Sequence, residues 1–232
     1  MNSPQLPLGL ALRDSARFDS YYPAGNQEAV SSLQAAAAGC GEALVYIAAA
    51  AGLGKTHLLQ AACHQAGECR RVSAYLPMRD IAADSAAVLL GLEQLDLVCL
   101  DDIDALAGRE EGERALFHLF NRMRESGSVL LVAAATPAHQ CGFRLPDLVS
   151  RLGWGLTYRL RSLDDGAVFA ALLHRARARG LELPEETAGF LLKRIPRDLP
   201  SVFNALDRLD EAAMIEQRRL TVPFVKSILN LG

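Results

Sequence analysis

No Cys-x-x-Cys pair, no His-Glu-x-x-His and no closely spaced pair of histidines occurs anywhere in this sequence. The five cysteines (Cys40, Cys63, Cys69, Cys99, Cys141) are odd in number and scattered, which argues against both a disulfide framework and a zinc site. They read as ordinary residues of a reducing compartment. Charge of either sign is not in excess. The formal net charge of −3 announces no nucleic-acid footprint. No apolar run reaches the ~20 residues that span a bilayer. The N-terminal stretch MNSPQLPLGLALRD lacks the basic start and sustained apolar core of a secretory signal. Internal repeats and low-complexity tracts are missing apart from short alanine runs. The expectation is a soluble cytoplasmic protein without a membrane partner.

What is present is a core. Half of the 232 residues are hydrophobic, enough for one large domain or a medium domain with a small companion. After a mixed segment over 1–20, which reads as an extended arm, short apolar runs alternate with helical spacing. ALVYIA (43–48) predicts a strand and THLLQAACHQAG (56–67) a helix. RRVSAYLPM (70–78) predicts a second strand, and RDIAADSAAVLLGLEQ (79–94) a second helix. LDLVCL (95–100) and SVLLVAAA (128–135) are near-continuous apolar runs of the kind buried on both faces of a parallel sheet. EEGERALFHLFNRMRESG (110–127) is an amphipathic helix with a glycine stop. LPDLVSRL (145–152) and LTYRL (156–160) add a short helix and a fifth strand. Strands alternating with helices indicate βαβ units and a mostly parallel sheet. Beyond about residue 162 only helical patterns follow, at 163–180, 182–195, 197–219 and 221–231. An α/β domain followed by a small all-helical one is the organisation this pattern predicts.

Between the first strand and helix lies AAAAGLGKTH (48–57). The phosphate-binding loop pattern is G-x-x-x-x-G-K-[ST], and Gly54, Lys55 and Thr56 supply its end. Ala49 stands where the pattern has its first glycine, a methyl group that is tolerable if its φ is negative. In such a loop backbone N–H groups converge on phosphate oxygens, and the following helix presents the positive end of its dipole. Ala51, Gly52, Leu53, Gly54, Lys55, Thr56 and His57 are therefore the candidate nucleotide-binding residues. Lys55 would reach the outer phosphates and Thr56 would ligate Mg²⁺. LDLVCLDD (95–102) is a hydrophobic strand ending in acids, which places carboxylates at the carboxyl edge of the sheet. Asp101 can hold Mg²⁺, and Asp102 can orient an attacking water or act as base. The arginines Arg144, Arg151, Arg161 and Arg197 carry a planar fork suited to phosphate oxygens, though any one of them alone reads better as a surface salt bridge, and only its neighbouring sequence can promote it.

LVSRLGWGLTYRL (148–160) resembles the segment of the DnaA/Hda group of AAA+ ATPases in which an arginine precedes a Trp-Gly pair. AGLGKTHLLQA and LDDIDAL come before it in the same order, and PRDLPSVFNALDRL (196–209) is similar to that group's lid motif. The resemblance covers nearly the whole chain. It implies an AAA+ P-loop NTPase module, with a parallel five-stranded sheet flanked by helices, followed by a small all-helical lid domain. It also implies an arm at 1–20, a nucleotide-binding domain at 21–162 and a lid at 163–232. By resemblance Arg151 is an arginine finger that reaches into the nucleotide site of a neighbouring subunit. Arg197 is the sensor 2 arginine, facing the chain's own nucleotide. Sensor 1 departs from the group: around Ala134 and Ala135 the strand end offers Thr136 as its polar residue.

Within the group, DnaA carries a C-terminal helix-turn-helix domain and an N-terminal domain, and neither pattern is found here. QLPLGL (5–10) instead resembles the clamp-binding motif at the start of Hda. Leu6, Leu8 and Leu10 of an extended peptide can enter a hydrophobic groove while Gln5 hydrogen-bonds at its rim. The resemblance implies a regulator of replication initiation whose partners are the sliding clamp (the DNA polymerase III beta subunit) and DnaA. DNA would be engaged mainly indirectly, through the clamp. ADP or ATP with Mg would be the bound cofactor, and head-to-tail AAA+ contacts would give a homo-oligomer. Ala49 and the sensor 1 region favour weak or no ATPase activity of its own. A DnaA-like adaptor, or a helicase-loader-type AAA+ protein that does not inactivate DnaA, is the alternative.

Overall fold

The computed structural model describes residues 12–81 and 85–231. In chain order its helices and strands are α1 (Gln27–Ala37), β1 (Leu44–Ala48), α2 (Lys55–Glu68), β2 (Ser73–Pro77), α3 (Met78–Ile81), α4 (Ser85–Val88), β3 (Leu97–Asp101), α5 (Glu110–Ser126), β4 (Val129–Ala134), α6 (Pro146–Leu152), β5 (Leu156–Arg159), α7 (Asp165–Ala178), α8 (Glu185–Leu192), α9 (Leu199–Glu216) and α10 (Val222–Leu229). The strands form one parallel sheet in the order β2-β3-β4-β1-β5. Every residue of β1, β3 and β4 is buried. That burial is why these runs are apolar without alternation. β5 lies at the edge and is largely exposed.

The register places Ala48 opposite Ala134 at the carboxyl ends of β1 and β4. Small side chains collect where the glycine loop leaves the sheet. The amphipathic α5 buries Leu116, Leu119, Phe120 and Met123 against the sheet. At about 2 kcal/mol for each buried side chain, that face contributes about 8 kcal/mol of transfer free energy as an upper estimate.

Two expectations differ from the structure. The segment 79–94 is not one helix: short helices at Met78–Ile81 and Ser85–Val88 are followed by turns at 89–91 and a 3₁₀ turn, Leu92–Gln94. Leu89 and Leu92 are fully buried within this irregular stretch, so tertiary burial overrides the helical spacing. Conversely, α1 has no counterpart in the sequence reading. Its Leu33, Ala36 and Ala37 are completely buried, so part of the alanine run at 35–38 is a close-packing helix face.

The chain divides into two compact units. The first comprises the described residues up to Phe18 with Glu28–Ala51 and Lys55–Leu160; the second comprises Asp19–Gln27, Gly52–Gly54 and the chain from Arg161 onward. The second unit has its own core, built from Val168, Leu172, Leu191, Val202, Leu206 and Phe224. Asp164 caps α7 by accepting from Ala167 N at 2.7 Å, and Asp198 caps α9 by accepting from Ser201 N at 2.9 Å.

Candidate functional site

The loop between β1 and α2 keeps its shape without a first glycine. Among the described residues, the non-glycine residues with positive φ are Arg70, Asp102, Gln217 and Asn230, so Ala49 has a negative φ and its methyl group is accommodated. Ala49 is buried and its N–H donates to Ala134 O at 3.0 Å. Glycine is needed further on. Gly52 and Gly54 have φ of 82° and 90°, a region costly for any residue with a Cβ. Within the second unit, a Cβ on Gly54 would meet Tyr21 Cε2 at 2.7 Å, and one on Gly52 would meet Pro200 Cγ at 2.9 Å. Tyr21 hydrogen-bonds from its phenol to Leu53 O at 3.3 Å, and burial pushes that phenol up to about 12.

In the first unit, Lys55 is buried and its ammonium donates to Ala49 O at 2.9 Å and Ala50 O at 3.4 Å. A phosphate oxygen would compete with these two carbonyls for the charge. Next to it, the Thr56 hydroxyl donates to Asp101 Oδ2 at 2.5 Å. Asp101, at the end of β3, is 2 % exposed and also accepts from Tyr75 OH (3.0 Å) and Asp102 N (3.0 Å). A hydroxyl and a carboxylate converging on one point are hard oxygen donors, the chemistry Mg²⁺ takes alongside phosphate oxygens. Among the described residues no cluster of three or more His, Cys, Asp or Glu side chains could hold a metal by itself.

Asp102 sits in the left-handed region (φ 50°), a conformation aspartate tolerates better than most residues and one that collects at functional sites. Its carboxylate lies 3.4 Å from Arg79 Nε. Burial, and next the charge of Asp101, push its carboxyl up; Arg79 and Lys55 pull the other way. A carboxylate with raised proton affinity is a better base near neutral pH. His57, at the loop's end, is engaged elsewhere, through its Nε2 and Arg17 O at 2.8 Å.

The carboxyl end of β4 around Thr136 is closed on itself. The Thr136 hydroxyl pairs with Cys141 Sγ at 3.4 Å, and Thr136 O accepts from Tyr46 OH at 2.8 Å. The polar group that reaches this strand end is Asp104, whose Oδ1 accepts from Ala135 N at 3.3 Å.

Arg151 projects from α6 and stacks on the ring of Trp154, with Cζ 3.9 Å from the centroid. Arg124, from the end of α5, lies against the same ring at 4.7 Å. Trp154 is 54 % exposed and meets Phe120 edge-on. Each stack is worth about 0.5–1 kcal/mol at an exposed position. The glycine of the Trp-Gly pair has its own reason: a Cβ on Gly155 would lie 2.1 Å from Leu44 O. The start of α6 is held by Glu113, 2 % exposed, whose carboxylate accepts from the backbone N–H groups of Gly108, Arg144 and Leu145.

Arg197, in the second unit, pairs with Asp165 and donates from Nε to Leu192 O at 3.4 Å. Of the other arginines, the backbone N–H of Arg144 goes to Glu113 and that of Arg161 to Asn26 Oδ1 at 2.8 Å. Gln5, Leu6, Leu8 and Leu10 lie outside the described residues. Lys55, Thr56, Asp101 and Asp102 thus come together in the first unit, while Arg151 occupies a separate aromatic platform on it. The roles of Tyr75, Arg79, Asp104, Arg124 and Glu113 had no signal in the sequence. Each acts through a partner distant in the chain.

A glycine loop leaving a central parallel strand, its lysine and threonine opening the next helix, and an aspartate closing β3 define a P-loop NTPase module of the AAA+ type. The comparisons with known proteins then give the family. The chain belongs to the bacterial DnaA ATPase-domain family, whose model matches residues 12–159, and its residues 164–229 match the model of the Hda lid domain. Among solved structures it is similar to domain III of the Thermotoga maritima replication initiation protein DnaA, with 22 % identity, a TM-score of 0.77, and coverage of 95 % of this chain and 98 % of that one. AMPPCP-bound DnaA from Aquifex aeolicus matches at 21 % identity and a TM-score of 0.70, covering 89 % and 70 %. The Thermotoga maritima RuvB Holliday junction branch migration motor matches at 19 % and 0.62, covering 88 % and 67 %. Among the described residues, no helix is long and apolar enough to cross a membrane.

Proposed function

We propose that this chain is an Hda-type regulator of replication initiation that promotes hydrolysis of DnaA-bound ATP by supplying Arg151 in trans. The observation that carries this reading is the Arg151–Trp154 stack: among the described residues the guanidinium is held by a ring rather than neutralised by a carboxylate, so its fork is available to a phosphate. The matches to the DnaA ATPase-domain and Hda lid models supply the context. The Gln5–Leu10 motif would tether the chain to the DNA-loaded sliding clamp, with head-to-tail pairing to DnaA. The same pairing between copies would give a homo-oligomer.

Its own loop would hold ADP or ATP, a reading supported by the AMPPCP-bound relative and by the Lys55 and Gly52–Gly54 geometry. Arg197 would contact that nucleotide from the lid. Thr56 and Asp101 would hold Mg²⁺, which neutralises phosphate charge when bound. The three sequence boundaries, 1–20, 21–162 and 163–232, would then be tether, nucleotide domain and lid of a cytoplasmic protein with little turnover of its own. The assembled Lys55, Thr56, Asp101 and Asp102 favour a second reading, an autonomous ATPase of the helicase-loader kind. In that case ATP would be turned over with no partner present.

The test mixes this protein, DNA-loaded clamp and ATP-loaded DnaA, and measures ADP formed. Arg151→Ala is expected to remove the stimulation, a loss on the order of 10³-fold, while clamp binding persists. Replacing Gln5 and Leu6 with alanine is expected to lose clamp pull-down and keep nucleotide binding. Stimulation unchanged by Arg151→Ala would sink the finger assignment.

A further inference from the structure

Asp101 is buried, yet its Oδ2 carries two hydroxyl donors from different elements: Thr56 from the first turn of α2 and Tyr75 from β2. The P-loop pattern accounts for Thr56 and leaves Tyr75 unassigned. Tyr75 is 8 % exposed, and its ring is fixed in the sheet one strand away from β3. Close to the phenol lies the side chain of Gln60, which is 5 % exposed and whose Oε1 accepts from Arg13 N at 3.2 Å. The result is a buried pair of hydroxyls, Tyr75 and Thr56, that meet on one oxygen of Asp101.

Thr56 has two duties that are met together in one orientation. A hydroxyl has one proton and two lone pairs, so its oxygen can ligate a metal while its proton stays on Asp101. Asp101 Oδ2 sets that orientation, so the carboxylate must itself be held by a second donor. Asp102 N serves Oδ1 and cannot take over. Tyr75 is the one other donor on Oδ2 among the described residues.

We propose that Tyr75 is a positioning residue for magnesium: its phenol holds Asp101 in place, so that the carboxylate, through the Thr56 proton, keeps the Thr56 hydroxyl oxygen aimed at the metal. The inference rests on the reading that the loop binds adenine nucleotide with Mg²⁺. It assigns to Tyr75 the coupling between metal and nucleotide, and leaves nucleotide affinity without metal to the loop alone.

The experiment measures ADP affinity by calorimetry, with Mg²⁺ and with EDTA, for the wild type, Tyr75→Phe and Gln60→Met. In the wild type, Mg²⁺ is expected to tighten ADP. In Tyr75→Phe the affinity in EDTA is expected to stay within about twofold, while the Mg²⁺-dependent gain falls about tenfold, the loss of one hydrogen bond to a charged acceptor. Gln60→Met, which removes the amide beside the phenol together with the acceptor of Arg13 N, is expected to lose no more than about threefold of that gain. In an Asp101→Asn background, Tyr75→Phe is expected to change nothing further. A residue that served only packing would weaken ADP equally with and without Mg²⁺ and leave the gain intact. That outcome, or a full gain in Tyr75→Phe, overturns the proposal. Absence of ADP binding by the wild type in both conditions would instead remove the nucleotide reading, and the proposal with it.

Discussion

Glu113→Gln isolates how α6, the helix that carries Arg151, is held. The Glu113 carboxylate accepts from Gly108 N at 2.7 Å through Oε1, and from Leu145 N at 2.8 Å through Oε2. Arg144 N reaches both oxygens, at 3.1 and 2.8 Å. A glutamine amide has one acceptor oxygen. Placed toward α6, it keeps Arg144 and Leu145 and sets its NH₂ against Gly108; turned over, it sets the NH₂ against Leu145. At least one bond is lost and the others lose their charge assistance. A bond to a charged acceptor is worth about 1.5–3 kcal/mol and a neutral one about 1 kcal/mol, so one bond lost and two weakened sum to about 2.5–7 kcal/mol. The donors lie on half-exposed loops that water can reach, which puts the expectation near 2 kcal/mol. For a chain of this size that corresponds to about 4–8 °C in Tm.

The assay is provided by the sequence. Trp154 is the single tryptophan, and it stands in the same unit as Glu113, so its emission during urea or thermal unfolding follows that unit. Circular dichroism follows the helices of both units. A Glu113→Gln midpoint within about 1 °C of the wild type would refute the reasoning, because an isosteric change at a buried acceptor has no other way to be silent.

Two further perturbations test the loop and the second unit. Gly54→Ala puts a Cβ at φ 90° and 2.7 Å from Tyr21, and is expected to cost about 1–2 kcal/mol of stability as well as ADP affinity; a variant that melts and binds like the wild type would show that the loop needs no glycine there. Asp198 has its carboxyl held below its ordinary value of 3.8 by the Ser201 N–H and hydroxyl. A depressed carboxyl stabilises above the unfolded value and loses that contribution as pH falls through the folded one. The stability advantage of the wild type over Asp198→Ala is therefore expected to be constant near neutrality and to shrink below the ordinary carboxylate range. A difference independent of pH would count against the cap.

Much of the fold could be read in advance because its signals are local. VYIA, LVCL and LLVA are apolar without interruption, short and each with a β-branched residue, and lie between turn signals, as a strand covered on both sides does. The helix at 110–127 was legible from its period and its glycine stop. Where signals conflicted, burial decided: 79–94 has helical spacing, but Leu89 and Leu92 are drawn into the core from turns. α1 escaped notice because an alanine-rich face is apolar by small size rather than by bulk, and only packing at 0 % exposure shows that it is a contact surface.

The same division holds for the site. Gly52, Gly54, Lys55 and Thr56 follow the spacing of a phosphate-loop pattern, and Asp101 and Asp102 close an apolar run, so the sequence alone indicated a loop between β1 and α2 and an acidic end to β3. It could not determine what each of them touches. That Ala49 is harmless follows from a negative φ, that Thr56 and Tyr75 share one oxygen of Asp101 follows from three separate elements meeting, and that Arg151 lies on Trp154 beside Arg124 follows from α6 being tied down by Glu113. A motif records residues that must be adjacent in the chain. The side chains that orient them need only be adjacent in space, and tertiary structure alone brings them there.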